Sequence, residues 1–226
     1  INPSSPAAIS LRDALVNLYN TAFEGSAHAI ELAKLRDHDL CICPACGEIG
    51  RPKTLDHYLP KGSFPEFALF PPNLFPMCGD CQIKKGSRVL NAESRRLYIH
   101  PYFMRFSGAA LLSLKIFPPY EAPSDFRLSA HPSLTAAEQE QVSRHLGGLD
   151  IHARFSVYFR SAYKRLHKNV RNARDTDQNV QSLLNVFRYN TSLTSVNCWD
   201  YLLYDEALGN EPLCDYLTSG RLPEYS

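Results

Sequence analysis

The sequence predicts an α+β fold that is mainly α-helical, with a small unit of short strands between two helical regions. Three observations predict this organisation. Prolines are concentrated between residues 41 and 76, apolar residues recur at helical spacing on both sides of that segment, and four of the seven cysteines form two C-x-x-C pairs. We place N-terminal helices at residues 1–40, the central unit at 41–105 and a mainly helical C-terminal region at 106–226.

The N-terminal region is predicted to be a helical hairpin. Ser10 has the side chain of an N-cap, and apolar residues follow at near-helical spacing as far as Phe23. Gly25-Ser26 then breaks the helix before a second one that ends near Arg36.

In the central unit, the prolines exclude long helices and favour short strands and ordered loops. The run from Gln82 to Arg96 lacks proline, and we expect a helix there.

The C-terminal region is predicted to open with a β-hairpin, residues 109–117 and 125–130, and to continue as helices. Thr135 and Glu138 form a capping box that starts a helix ending near Leu146. The next helix is strongly amphipathic. Its apolar stripe consists of Phe155, Phe159, Ala162, Leu166 and Val170, and its opposite side carries Arg160, Lys164, Lys168 and Arg171. Shorter helices follow at 179–188, 196–208 and 212–218.

Charge and hydropathy limit the classes of protein. The formal net charge is +1, but Lys and Arg are concentrated between residues 154 and 174 and acids between 199 and 226. The basic helix is therefore either a solvated face or a contact surface for nucleic acid or a protein. No apolar run approaches the roughly 18 residues of a membrane span, and residues 1–10 do not resemble a secretory signal, so we expect a cytoplasmic protein without a membrane segment.

The paired cysteines predict a structural zinc site. Cys43 and Cys46 form one C-x-x-C turn, and Cys78 and Cys81 form the other. Four thiolates complete a tetrahedral shell and leave no open position for water, so this zinc is structural and not catalytic. The looser spacing of Cys41 makes it the weaker alternative to Cys43. The cysteines at 198 and 214 stand in apolar contexts and are interpreted as packing residues.

The segment between the two pairs resembles the HNH, or ββα-metal, nuclease family over about 50 to 60 of the 226 residues. That family has an Asp-His pair at the end of a first strand, an Asn in the following loop, and a His or Asn nine residues later on a helix. Asp56-His57, Asn73 and position 82 fall in this register. The matching stretches are Leu55-Asp56-His57-Tyr58-Leu59-Pro60-Lys61 and Pro72-Asn73-Leu74-Phe75-Pro76-Met77.

The resemblance implies a role for each of these residues. His57 becomes the general base that activates water, Asp56 a ligand of a catalytic Mg²⁺ or Mn²⁺, and Asn73 the residue that orients the His57 loop or imidazole. Imidazole titrates near neutral pH, and hard oxygen ligands suit Mg²⁺, so the chemistry is consistent with these roles. Gln82 departs from the family's His or Asn: either its amide oxygen coordinates the ion, or another group, with His100 as the candidate, completes the shell.

Cations near the predicted helix start are candidate phosphate contacts or a solvated helix face: Lys84, Lys85 and Arg88. The expected substrate is DNA, with RNA the second choice.

Two functions follow. The first is an HNH endonuclease; the second is a non-catalytic zinc module that binds nucleic acid or a protein partner, which the departure at Gln82 permits. The stretch from Leu55 to Lys61, followed by Pro65-Glu66-Phe67, is also similar to HNH proteins of Septu-type and retron-associated bacterial antiviral defence systems. That similarity implies an ATPase partner.

Overall fold

The computed structural model describes residues 5–21, 24–103, 109–122 and 125–225. The chain divides into two compact units near residue 104, and residues 47–49 belong to the second unit. Helices predominate and the strands form two small two-stranded sheets, which confirms an α+β, mainly α-helical fold. Among the described residues, no helix is both long and apolar enough to cross a membrane.

The first unit contains three helices and one sheet among its described residues. Its elements are α1 (Pro6–Asn20), α2 (Ala27–Arg36), β1 (Thr54–His57), β2 (Leu74–Met77) and α3 (Gly79–Lys85), with 3-10 turns at Pro65–Phe67 and Pro71–Asn73. The strands are antiparallel, with Asp56 opposite Phe75 and His57 opposite Leu74. Leu32 of α2 packs against Leu55 and Leu74, so a small apolar cluster supports the sheet.

Both N-terminal helices are present, but α1 begins earlier than predicted. Ser5 is its N-cap and accepts a hydrogen bond from Ala8 N, and Pro6 occupies the first turn, where its fixed φ favours helix initiation. Ser10 is therefore inside α1, and its prediction as the N-cap is wrong. The second helix ends at Arg36 as predicted. Phe23 lies outside the described residues.

The helix predicted from Gln82 to Arg96 is wrong beyond Lys85. Gly86 has φ +54°, a conformation that favours glycine, and its N–H bonds to Gln82 O to close the last turn. The chain then forms a tight loop in which Leu97 N donates to Val89 O at 2.9 Å. The absence of proline was not sufficient to predict a helix as far as Arg96, because Gly86 ends the helix.

The second unit begins with the predicted hairpin. Strands β3 (Leu112–Ile116) and β4 (Phe126–Ala130) pair in antiparallel register. A buried carboxylate holds the hairpin in place: Glu206 accepts hydrogen bonds from Ile116 N at 2.9 Å and from Lys115 Nζ at 3.0 Å. Both carboxylate oxygens are therefore satisfied in the interior.

The helices of the second unit follow the predicted order. They are α4 (Ala136–Gly148), α5 (Ile151–Asp175), α6 (Val180–Ser192), α7 (Trp199–Gly209) and α8 (Glu211–Ser219). The capping box of Thr135 and Glu138 is present at the start of α4, and the apolar stripe predicted for α5 is buried. On the opposite side of α5, Arg171 donates to the carbonyl oxygens of Leu222 and Pro223, so this cation fixes the C-terminal segment.

Residues 47–49 are held within the second unit. Gly47 O accepts a hydrogen bond from Trp199 N at 3.2 Å, and Glu48 pairs with Arg154. Gly47 has φ +80°, and a Cβ atom there would overlap the Asn197 carbonyl oxygen. Only glycine fits this position without displacement of the neighbouring backbone.

A buried histidine on α5 makes the second unit sensitive to acid. His167 is 1% exposed, and its Nδ1 lies 2.8 Å from the Tyr225 hydroxyl. Burial, together with the charges of Arg171 and Arg174, lowers the pKa of His167 to about 4.

We predict that His167 reduces the stability of this unit as the pH falls. The folded pKa lies below the unfolded value near 6.5, so the unfolded state binds more protons between these two pH values. The stabilisation is complete above about pH 6.5 and is lost towards pH 4, with a loss of about 2 kcal/mol at pH 5. Urea unfolding followed by fluorescence of Trp199, the one tryptophan of the chain, should show this loss at pH 5, and H167F should reduce it. An equal pH dependence in wild type and H167F would contradict the assignment.

Candidate functional site

Four cysteines converge at the edge of the β1–β2 sheet. Cys43 and Cys46 lie in the turns before β1, whereas Cys78 caps α3 and Cys81 lies in its first turn. Their sulfur atoms all lie within 4.8 Å of one another, and Cys46 Sγ is 4.0 Å from Cys78 Sγ. Tetrahedral zinc with bonds of about 2.3 Å needs sulfur separations of about 3.8 Å, so the cluster can hold a zinc ion.

The surroundings of the cluster favour thiolates at two of its four positions. Cys43 Sγ accepts a hydrogen bond from Cys78 N at 3.3 Å, and Cys78 Sγ accepts one from Cys81 N at 3.5 Å. Hydrogen bonds among the four sulfur atoms lower the pKa of Cys43, through Cys46 first, and the pKa of Cys78, through Cys43 first, and they raise the pKa of Cys46 and of Cys81, through Cys43 first in each. Thiolates are the form that binds a metal ion.

The other three cysteines lie outside this cluster. Cys41 is exposed and is not a member of it, which leaves Cys43 as the partner of Cys46. Cys198 and Cys214 are buried, as their prediction as packing residues requires. Over residues 5–21, 24–103, 109–122 and 125–225, no other group of three or more His, Cys, Asp or Glu side chains converges as metal ligands could.

A second site lies at the end of β1. Asp56 and His57 are 7% and 8% exposed, and both line a cavity of about 320 Å³. Gln82 and Lys85 of α3 line the same cavity, as does Lys61 from the loop after β1. The sheet and α3 thus bring a carboxylate, an imidazole, an amide and two cations to one small space.

The hydrogen bonding of His57 fixes its tautomer. Its Nε2 lies 3.0 Å from Ala68 O, and a carbonyl oxygen can only accept, so Nε2 carries the proton. Nδ1 is then the nitrogen with a lone pair. Burial lowers the pKa of His57, although the Ala68 hydrogen bond opposes this shift, and the imidazole is therefore neutral near pH 7. The Tyr19 ring contacts the imidazole edge-on at 4.5 Å between centroids.

Asn73 holds the backbone that follows His57. Its Oδ1 accepts from Leu59 N at 2.7 Å, and its Nδ2 donates to Leu59 O at 3.0 Å and to Phe67 O at 3.1 Å. Its own carbonyl accepts from Tyr58 N at 2.8 Å. The structure therefore places Asn73 against the loop after His57, and it ends the 3-10 turn Pro71–Asn73 as well.

The two candidates for completing the metal shell lie in different places. Gln82 lines the cavity of Asp56 and His57. His100 instead lies among aromatic rings, with centroids 4.5 Å from Tyr58 and 4.6 Å from Phe103, and lines a separate cavity of about 550 Å³. Burial lowers the pKa of His100. Gln82, and not His100, therefore lies at the cavity that Asp56 lines.

Lys85 is buried and does not occupy the position of a phosphate contact on the surface. Its side chain is 1% exposed, and its Nζ lies 3.0 Å from Asp56 Oδ2. Its two partners in the predicted basic group, Lys84 and Arg88, are exposed. Lys85 stands four residues after the buried Cys81, on the same face of α3, and this spacing was the signal that it points inwards.

Comparison with known proteins adds little about function. A relative found by sequence is Protein ea31 of Escherichia phage lambda, 43% identical over 60 residues, which are 26% of this chain and 20% of that protein. The match thus spans about a fifth of the relative, whose name states no activity. No family model matches the chain, and no solved structure matches it.

We predict that the purified chain contains about one zinc ion and that all four converging cysteines hold it. C81S should lose the zinc and unfold the first unit, because removing one ligand opens the shell and metal binding stabilises the fold. C41S, which changes an exposed cysteine nearby, should keep the zinc. Elemental analysis of the three proteins checks this. Wild-type protein without zinc, or equal zinc in C81S and wild type, would contradict it.

Proposed function

We propose that the chain is an HNH-type endonuclease that hydrolyses phosphodiester bonds of DNA, with RNA as the second candidate substrate. The observation that carries this proposal is the buried, neutral His57 beside Asp56 in a cavity that is also lined by α3, the helix that carries Cys81 of the cysteine cluster. A neutral imidazole with one nitrogen fixed by a carbonyl is suited to take a proton from water.

In the proposed reaction, His57 Nδ1 accepts a proton from a water molecule, and the resulting hydroxide attacks the phosphorus atom. A new P–O bond forms, the bond to the sugar oxygen breaks, and that oxygen leaves with the electron pair and takes a proton from water. The hydroxide ion left by that water takes the proton that His57 holds, which restores the neutral imidazole. A Mg²⁺ or Mn²⁺ ion bound through Asp56 and Gln82 would neutralise charge on the phosphate and on the leaving oxygen. Asn73 positions His57 by fixing the next two residues, Tyr58 and Leu59.

The remaining parts of the proposal concern binding. A zinc ion on the four cysteines would join the turns before β1 to the start of α3 and so fix β1 relative to α3, and residues of both elements line the cavity. The exposed cations Lys84 and Arg88 are proposed phosphate contacts. The similarity at Leu55 to Phe67 supports an effector role in an antiviral defence complex with an ATPase partner.

A second candidate function is favoured by one observation. Asp56 already faces a cation, Lys85, at 3.0 Å, and Gln82 is a neutral ligand, so the cavity is poorer in negative charge than a typical Mg²⁺ site. A zinc module that binds nucleic acid or a protein without cutting is consistent with such a cavity. Cleavage assays separate the two functions.

We predict that H57A lowers the cleavage rate at least about 100-fold and keeps the zinc content, because the base acts only in the chemical step. The assay is nicking of supercoiled plasmid with Mg²⁺ or Mn²⁺, with a labelled RNA tested in parallel. H152A, which removes an exposed histidine of the second unit, is the matched control and should cut like wild type. Equal rates for H57A and wild type would exclude the mechanism.

We also predict that Q82A raises the Mn²⁺ concentration for half-maximal cleavage by about tenfold. Gln82 lines the cavity of Asp56, so its loss removes a ligand. H100A should leave this concentration unchanged, since His100 lines the other cavity. Titration of cleavage with Mn²⁺ in both variants tests the assignment, and the opposite pattern would transfer the ligand role to His100.

A further inference from the structure

Lys85 is a buried cation at the centre of the candidate active site. Its Nζ donates a hydrogen bond to His57 O at 2.6 Å and lies 3.0 Å from Asp56 Oδ2. The side chains of Lys85 and Asp56 are 1% and 9% exposed. One ammonium group thus touches both residues of the Asp-His pair.

A lysine is rarely buried without a compensating partner, because removing an ammonium group from water is costly. Here the compensation comes from Asp56 and from the His57 carbonyl, and the Tyr98 ring lies 6.0 Å from Nζ. Asp56 Oδ2 is itself buried and accepts no hydrogen bond of good geometry from the described residues, so the ion pair is its main stabilisation. Lys85 and Asp56 therefore depend on each other.

We propose that Lys85 is the resident cation of this cavity and that it opposes the binding of a divalent ion to Asp56. An ion that coordinates Asp56 Oδ2 would lie close to the ammonium group, and two cations in a small buried space repel each other strongly. The inference rests on the proposed function only in naming Asp56 as the ligand of the divalent ion.

The consequence is a positioning role. Lys85 holds the end of β1 through the His57 carbonyl and holds the Asp56 carboxylate in place through its charge. Metal loading of the cavity is then weak for as long as Lys85 keeps this position. Lys85 lies on α3, the helix whose first turn carries Cys81.

The test measures direct binding of Mn²⁺ to the full zinc-loaded chain. Binding is monitored by the decrease in the electron paramagnetic resonance signal of free Mn²⁺. K85Q removes the charge and keeps a hydrogen-bond donor for the His57 carbonyl, and we expect it to bind Mn²⁺ at least about tenfold more tightly than wild type. The gain should disappear in the double variant K85Q/D56N, which lacks the ligand. K53Q, which removes the charge of an exposed lysine three residues before Asp56, is the matched control and should bind Mn²⁺ like wild type.

Mn²⁺ affinity in K85Q that equals or falls below the wild-type value overturns the proposal, as does a gain that survives in K85Q/D56N. Zinc content and circular dichroism verify that each variant is folded. If K85Q fails to fold, two further variants test the pair: K85Q/D56N removes both buried charges, and D56N removes only the carboxylate charge. A folded double variant beside an unfolded K85Q supports the mutual dependence of Lys85 and Asp56. An unfolded double variant contradicts this dependence. Tighter Mn²⁺ binding in K85Q, together with no nucleic acid cleavage by the wild-type chain, would support this inference and refute the proposed nuclease.

Discussion

The convergence of four cysteine side chains is the constraint on which the first unit depends. The β1–β2 sheet has only four residues in each strand and packs on a small apolar cluster, and so short a sheet is marginal without further support. A zinc ion on these cysteines would join the turns before β1 to the start of α3, with residues 47–77 between the two pairs. The relative positions of Asp56, near the end of β1, and of Gln82 and Lys85, on α3, would then depend on this cluster.

A second set of contacts holds His57, the proposed general base, in place. Asn73 fixes the chain after His57 with three side-chain hydrogen bonds, and Ala68 O fixes the imidazole tautomer. These contacts favour a working base. The pairing of Lys85 with Asp56 acts in the opposite direction, because it neutralises the carboxylate that a divalent ion would use. The two features favour different proposed functions: the first favours cleavage of nucleic acid, and the second favours a non-catalytic module that binds nucleic acid or a protein.

The sequence predicted the parts of the fold that rest on local signals. C-x-x-C spacing, the capping box of Thr135 and the apolar stripe of α5 each depend on residues a few positions apart, and all three are confirmed. The errors arose where the structure depends on tertiary contacts, or where a local signal in the sequence was given too little weight. Gly86 ended α3 where the lack of proline had suggested continuation, and the inward direction of Lys85 needed the i+4 relation to Cys81. The separate cavity of His100 is set by distant rings, which no spacing along the chain reveals.

We propose that the four-cysteine centre holds Asp56 and His57 in a geometry that hydrolyses phosphodiester bonds. The most direct test is to remove zinc stepwise from wild-type protein with a thiol reagent and a zinc indicator, and to measure plasmid cleavage in saturating Mg²⁺ or Mn²⁺ on the same samples. We predict that the cleavage rate falls in proportion to zinc content, and that zinc, added back after the thiols are restored, recovers it. Full cleavage by zinc-depleted protein, or no cleavage by fully loaded protein, would contradict this role of the zinc centre.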